Sequence, residues 1–250
     1  MFDLPLLPEI LPPTIAFALV MLSLLTSLIT ASIGIGGGTI MLAVLAQVLP
    51  VKAIIPIHGV VQLGSNFGRS VVMRKDINWN HLLWFSLGSL AGALLGGQLV
   101  VSLPVDALRL ILGGFILYSV WGPKFSSSVT GSGTLASGGF LSTLLTMFVG
   151  ATGPFVLALL RAINLPRLEL VATNAACMVV QHFLKVLVFG LLGFAFAPYF
   201  LLVLLMVVSG FLGTIMGKRI LLRVNEKKFQ LGVNVVLTVL ALRLLASAVN

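Results

Sequence analysis

Apolar runs close to the length of a bilayer span recur from one end of the chain to the other. They fall at about 14–33, 38–49, 53–73, 81–101, 105–121, 135–150, 153–165, 168–190, 198–217 and 229–247. Most are near the ~20 residues that a helix needs to cross the hydrocarbon. Without water to satisfy its N–H and C=O groups, a spanning segment must close its own hydrogen bonds, so the expected fold is an all-α, polytopic membrane protein. Composition excludes the soluble alternative. Of 250 residues 59% are hydrophobic and only 8% charged, and mean hydropathy is +1.17. That is too little charge to cover a water-facing surface, since about a quarter of a soluble chain is charged.

The net charge of +9 arises from Lys and Arg residues gathered mostly at the ends of apolar runs. Membrane topology accounts for such a pattern, and nucleic acid is not an expected partner. Cys177 is the single cysteine and lies inside an apolar run, so no intrachain disulfide can form and a cysteine metal site is not expected. It reads as a small buried side chain. Residues Met1 to Pro13 carry Asp3 and Glu9 without Lys or Arg, unlike a signal peptide, so the first apolar run is expected to stay in the protein.

Two stretches are too long for one span, and glycine interrupts both. Gly34-Ile35-Gly36-Gly37-Gly38 breaks 14–49, and Gly150-Ala151-Thr152-Gly153-Pro154 breaks 135–165. The breaks belong to an internal repeat. Placing Leu49-Pro50 over Leu165-Pro166 sets His58 on Asn174, Asn66 on His182, Phe67 on Phe183 and Arg69 on Lys185. After a small shift Gly92-xxx-Gly96 falls on Gly213-xxx-Gly217, and Leu108 and Leu110 fall on Phe229 and Leu231. The expected organisation is a first repeat over 1–121, a Ser/Gly-rich linker over 122–134 and a second repeat over 135–250. Each repeat is a Gly-broken helical hairpin followed by three transmembrane helices.

Charge orients the halves. Arg74 and Lys75 place loop 74–80 in the cytoplasm, whereas its counterpart 190–197 is uncharged. In the next pair of loops the bias reverses. Loop 102–104 has no positive charge, and 218–228 holds Lys218, Arg219, Arg223, Lys227 and Lys228. The repeats are therefore expected to be inverted, with the N-terminus external and 74–80, 122–134 and 218–228 cytoplasmic. Lys52, Arg109 and Arg243 fall on the external side against this bias.

The residues with chemistry to offer cluster at the breaks and on two helices. A helix that begins within the membrane presents free N–H groups and the positive end of its dipole, which suits a small anion. Gly34, Gly36, Gly37, Gly38 and Thr39 stand at the first such start, and Gly150, Thr152 and Gly153 at the second. Tight helix packing is the competing role for these glycines, and it is the role expected of Gly92-xxx-Gly96 and Gly213-xxx-Gly217. His58, Gln62, Asn66 and Arg69 share one helix face, and Asn174, Gln181, His182 and Lys185 stand on the repeat-related helix. Arg69 and Lys185 lie near segment ends, where two roles fit them: reaching out to the headgroups, or facing an anion inside the bundle. His58 and His182 fit both a hydrogen-bonded bundle position and a proton carrier coupled to the anion. The acidic residues Asp3, Glu9, Asp76, Asp106, Glu169 and Glu226 all lie near segment ends. A cation site or a carboxylate proton relay is therefore not expected, and no catalytic set or cofactor motif appears.

Taken in order, Gly34-x-Gly-Gly-Gly38, Leu-Pro-x-x-Ala at 49–53, Asp76-x-x-Trp79, Gly88-x-x-x-Gly92-x-x-x-Gly96 and Leu165-Pro166 followed by Ala172-Thr173-Asn174 resemble the sulfite exporter TauE/SafE family over about 14–247. The resemblance implies an inner-membrane permease, with no enzyme activity, for small sulfur-containing anions such as sulfite and organosulfonates. Two places depart from the family's habit. Ile57-His58-Gly59 stands where Gly-Thr-Ser is common, and the second break is Gly-Ala-Thr-Gly-Pro rather than a run of glycines. A passive anion channel and a permease for a different small anion remain open at this point, as does pairing of the chain into a homodimer.

Overall fold

A computed structural model describes residues 11–33, 36–101, 103–122, 131–220 and 226–249. Ten α-helices make up the described chain, with no strand among them. They are α1 (Pro13–Ile33), α2 (Gly37–Val48), α3 (Val51–Val72), α4 (Trp79–Val101), α5 (Val105–Trp121), α6 (Ser132–Val149), α7 (Gly153–Arg161), α8 (Arg167–Leu191), α9 (Phe200–Ile220) and α10 (Glu226–Val249). Single 3-10 turns at Arg74–Asp76 and Ala197–Tyr199 precede α4 and α9. Five stretches are long and apolar enough to cross a bilayer: Pro13–Ala31, Trp79–Val100, Ser132–Val149, Leu168–Leu191 and Ala197–Gly217. The protein is thus multi-pass. The faces they leave outside are apolar, as with Leu83, Leu87, Leu90 and Leu94 along α4 and Leu204, Val208, Phe211 and Leu212 along α9. Such faces suit lipid contact rather than water.

Helix boundaries fall where the sequence places them, at both breaks. The offset that superposes the Leu-Pro pairs also carries Ile33 onto Val149, Gly37 onto Gly153 and Val51 onto Arg167, which are the end of one helix and the starts of the next two in each half. Glycine is required at each break. Gly36 has φ 101 and ψ −38, and Gly150 has φ 79 and ψ −39. An L side chain there would force its Cβ against the backbone. Two boundaries differ from expectation. The helix expected over 153–165 stops at Arg161, because Asn164 takes the left-handed conformation at φ 57 and Pro166 follows. Ser132, Gly133 and Thr134, expected in the linker, form the first turn of α6. Linker residues 123–130, the first ten residues and 221–225 lie outside the described chain, as do the side chains of Lys218, Arg219, Arg223, Lys227, Lys228, Phe229 and Leu231.

Packing exchanges partners between the halves. α1 lies against α9 and α6 against α4; α3 touches α9 and α8 touches α4; α3 crosses α8, and α5 pairs with α10. The α4–α6 seam is closed by Gly88, Gly92 and Gly96. A Cβ at Gly88 or Gly92 would collide with the carbonyl oxygens of Ala136 or Phe140. At the α1–α9 seam, Gly213 and Gly217 meet the carbonyls of Leu24 and Leu28 in the same way. These glycines let backbones touch, which is how apolar helices associate where burial alone gives no driving force. The seams frame a centre in which α3 and α8 cross between the two breaks, and it is here that the polar side chains are buried.

Candidate functional site

α3 and α8 run antiparallel. Gly59, near the start of α3, faces Lys185 and Val186 near the end of α8, while Met73 after α3 packs on Ala172 and Ala176 near the start of α8. The polar residues therefore sit at two levels along the crossing. The inner level joins the breaks. The Nε2–H of His58 donates to the Gly38 carbonyl at 2.9 Å, so Nδ1 of a neutral ring is left as an acceptor, and it has no partner. The His58 and His182 rings meet edge to face, their centroids 5.9 Å apart. Lys185 Nζ lies 3.4 Å from His182 Nδ1 and donates to the Gly150 carbonyl at 2.7 Å. A chain of contacts thus runs from the first break through His58, His182 and Lys185 to the second.

The second break is further organised by Gln181. Its Nε2 donates to Ser142 Oγ at 2.7 Å and Thr143 Oγ1 at 3.0 Å, while its Oε1 accepts from Thr152 Oγ1 at 3.1 Å. Thr146 Oγ1 gives the Gly150 carbonyl a second donor at 3.1 Å. The two half-helices begin with different hydrogen bonds. Among the described residues, α2 begins with the bond from the Ile40 N–H to the Gly36 carbonyl at 3.0 Å. In α7 the N–H groups of Phe155 and Val156 both reach the Thr152 carbonyl, at 3.0 and 3.1 Å, and Pro154 has none to offer. Gln62 lies against the start of α2, its Nε2 3.4 Å from where a Cβ of Gly38 would stand. Thr39 and Thr152 are both buried.

Arg69 and Asn174 form the outer level, Arg69 one turn from Met73 and Asn174 two residues from Ala172. Arg69 Nη1 contacts Asn66 Oδ1 at 3.4 Å, and Asn66 Nδ2 donates to the Gln62 carbonyl at 2.8 Å. Arg69 Nε and Nη2 and Asn174 Oδ1 are buried without partners. Neither cation snorkels: Arg69 is 6% exposed and Lys185 0%. Neither is matched by a carboxylate. Among the described residues the ion pair is Arg109–Asp106, at the surface. Nor is any group of three His, Cys, Asp or Glu side chains among them placed to hold a metal ion.

The structure brings Gly38, His58, Gln62, Gly150, Thr152, Gln181, His182 and Lys185 together and sets Asn66, Arg69 and Asn174 toward the 74–80 end. Gly36 and Gly153 stand at the starts of α2 and α7, and Gly37 packs against Thr26 and Thr30 of α1. Gly34 lies outside the described residues. Sequence reasoning missed the hydroxyls of the first helix in each half. Thr26, Ser27 and Thr30 fall on Ser142, Thr143 and Thr146 at the Leu-Pro offset, and Ser65 falls on Gln181. Ser27 meets Ser65 at 3.1 Å just as Thr143 meets Gln181. The repeat alignment held that signal, because both triplets are hydroxyls at helical spacing in otherwise apolar runs.

A multi-pass helical bundle with half-helices starting inside it, and a buried lysine where they meet, has the architecture of a membrane transporter. The family model for the sulfite exporter TauE/SafE matches residues 19–244, and the chain belongs to that family. Its members are membrane transporters of the sulfite and sulfonate type, not enzymes. Neither a search of curated proteins nor one of solved structures returned a match.

Proposed function

We propose that this protein is a secondary transporter that exports a small anion, sulfite or an organosulfonate, through a site between the two helix breaks. The observation that carries the reading is the pair of cations. Arg69 and Lys185 are buried without a carboxylate, and Arg69 keeps two donor atoms unpartnered. Removing an ammonium or guanidinium from water costs several kcal/mol, and a bound anion is what would offset it. The first-turn N–H groups of α2 would add donors suited to oxyanion oxygens. The closed interior, where His58, Gln181 and Lys185 have no exposed surface, favours alternating access over a standing channel. The exchange of packing partners between the halves, with their opposite loop charges, supports reading them as inverted repeats that rock about the α3–α8 crossing. A thermal-stability screen of purified protein against sulfite, sulfate, thiosulfate, sulfonates and carboxylates tests the proposal. Sulfite or a sulfonate should raise the melting temperature of the parent and fail to raise that of Arg69→Gln. A carboxylate that stabilises while every sulfur anion does nothing would overturn it.

A further inference from the structure

Beyond the outer level, toward residues 74–80, the chain makes a compact set of hydrogen bonds that the anion site does not use. Asn78 makes three of them. Its Oδ1 accepts from the His81 N–H at 3.0 Å and so caps α4. Its Nδ2 donates to Glu169 Oε1 at 2.6 Å, and its own N–H donates to Thr173 Oγ1 at 2.9 Å. Glu169 and Thr173 stand one turn apart on α8, and Thr173 immediately precedes Asn174. Beside this set lies an open cavity of about 590 Å³, lined by residues 75–79 with Pro166, Leu168 and Glu169. Next to it, Met73, Ile77, Leu82, Ala172 and Ala176 form a small apolar layer. Ile77 borders both the cavity and this layer, and Arg69 stands one turn further along α3.

We infer that Asn78, Glu169 and Thr173 form the latch that closes the anion path on the 74–80 face, and that α4 and α8 part at this latch when the path opens. The inference rests on the reading of Arg69 and Asn174 as part of that path. It also gives a place to the Asp76-x-x-Trp79 motif, which forms the turn that delivers Asn78 and the wall of the outer cavity. Three bonds converge on a single residue at the end of a loop. One of them is charge-assisted, so it is strong when made and releases two well-solvated groups when the loop withdraws. The other end of the bundle is closed by different chemistry. Phe194 packs edge to face on Phe196 at 4.8 Å and stacks with Tyr199 at 6.1 Å, and these rings pack against the apolar core. A polar latch on one face and an aromatic plug on the other let the two faces open under different conditions.

The test is the reaction rate of a cysteine placed just inside the latch. In a Cys177→Ala background, Ala176→Cys is exposed to a membrane-impermeant anionic methanethiosulfonate in vesicles of each orientation. The face is identified by a Lys75→Cys control, which is exposed in this conformation. With the latch intact, labelling from that face is slow. Glu169→Ala, which leaves the Asn78 cap on α4 in place, should speed it about tenfold or more, the scale of losing one charge-assisted hydrogen bond. Glu169→Gln keeps an acceptor for Asn78 and should label as slowly as the parent. From the opposite face neither change should matter. Labelling does not depend on which anion is carried, so it stands apart from the transport reading. Unchanged rates in Glu169→Ala and Asn78→Ala, or a Glu169→Gln variant as fast as Glu169→Ala, would overturn the latch.

Discussion

Replacing Lys185 by Met asks whether a buried cation serves the fold or the anion. The ammonium has no exposed surface and no carboxylate, and its donors go to the Gly150 carbonyl and toward His182. Losing a charged hydrogen bond costs about 1.5–3 kcal/mol. The Gly150 carbonyl is not orphaned, because Thr146 Oγ1 still donates to it. Against that loss stands the desolvation of the ammonium, several kcal/mol even after relaxation, which Met does not incur. Met is also unbranched and fills the channel that the lysine stem occupies beside Gly59. The balance favours the variant: Lys185→Met should unfold at the parent temperature or above it. Anion affinity should fall at least about tenfold, since 1.4 kcal/mol is a modest share of a buried ion contact. The assays are thermal unfolding of detergent-purified protein and titration of the stabilising anion. A variant destabilised by more than about 3 kcal/mol with anion affinity unchanged would show that Lys185 is structural and refute the reasoning.

Gly150→Ala should destabilise by roughly 1–2 kcal/mol from backbone conformation alone, and further because its Cβ would come within 2.7 Å of a Leu42 methyl; a melting temperature equal to the parent's would contradict the break geometry. Gly92→Leu should separate α4 from α6, where a Cβ already collides with the Phe140 carbonyl, and yield little folded protein on size exclusion, whereas Gly114→Leu on the open face of α5 should fold normally. If protons accompany the anion through His58 or His182, an imposed pH gradient should drive flux in proteoliposomes, and His58→Gln or His182→Gln should flatten its pH dependence. Flux that follows the anion gradient alone, with parent pH dependence in both variants, would remove proton coupling and favour the channel reading. Cysteines placed in 74–80 and 218–228 should label only from the cytoplasm, and external labelling of both loops would sink the inverted scheme.

The helices were legible because membrane burial makes the signal redundant: each run is apolar over its whole length, and glycine or proline marks nearly every end. The break positions were legible for a related reason, since two paired interruptions of long apolar runs leave few alternatives. Asn164 shows where this stops. Its left-handed turn depends on one backbone angle that an apolar pattern does not encode, so α7 was read several residues too long. In the site, the repeat alignment paired His58 with Asn174 and Asn66 with His182 and gave no sign that the two rings meet. The antiparallel crossing of α3 and α8 instead brings the two rings together. Register between distant helices is set by packing of the glycine seams, and no local pattern carries it. The same holds for Lys185. Its place near a segment end left both an interface and the bundle interior open, and the crossing folds that end under the second break.

The most direct test of the central claim is flux of radiolabelled sulfite from proteoliposomes holding the parent, Arg69→Gln or Lys185→Met, with empty liposomes as the baseline. If the buried cations hold the travelling anion, the parent should empty its vesicles well above baseline, and each variant, folded as well as the parent, should do so at least about tenfold more slowly. Parent-like flux from both folded variants would contradict the account, because it would leave Arg69 and Lys185 with no anion to serve.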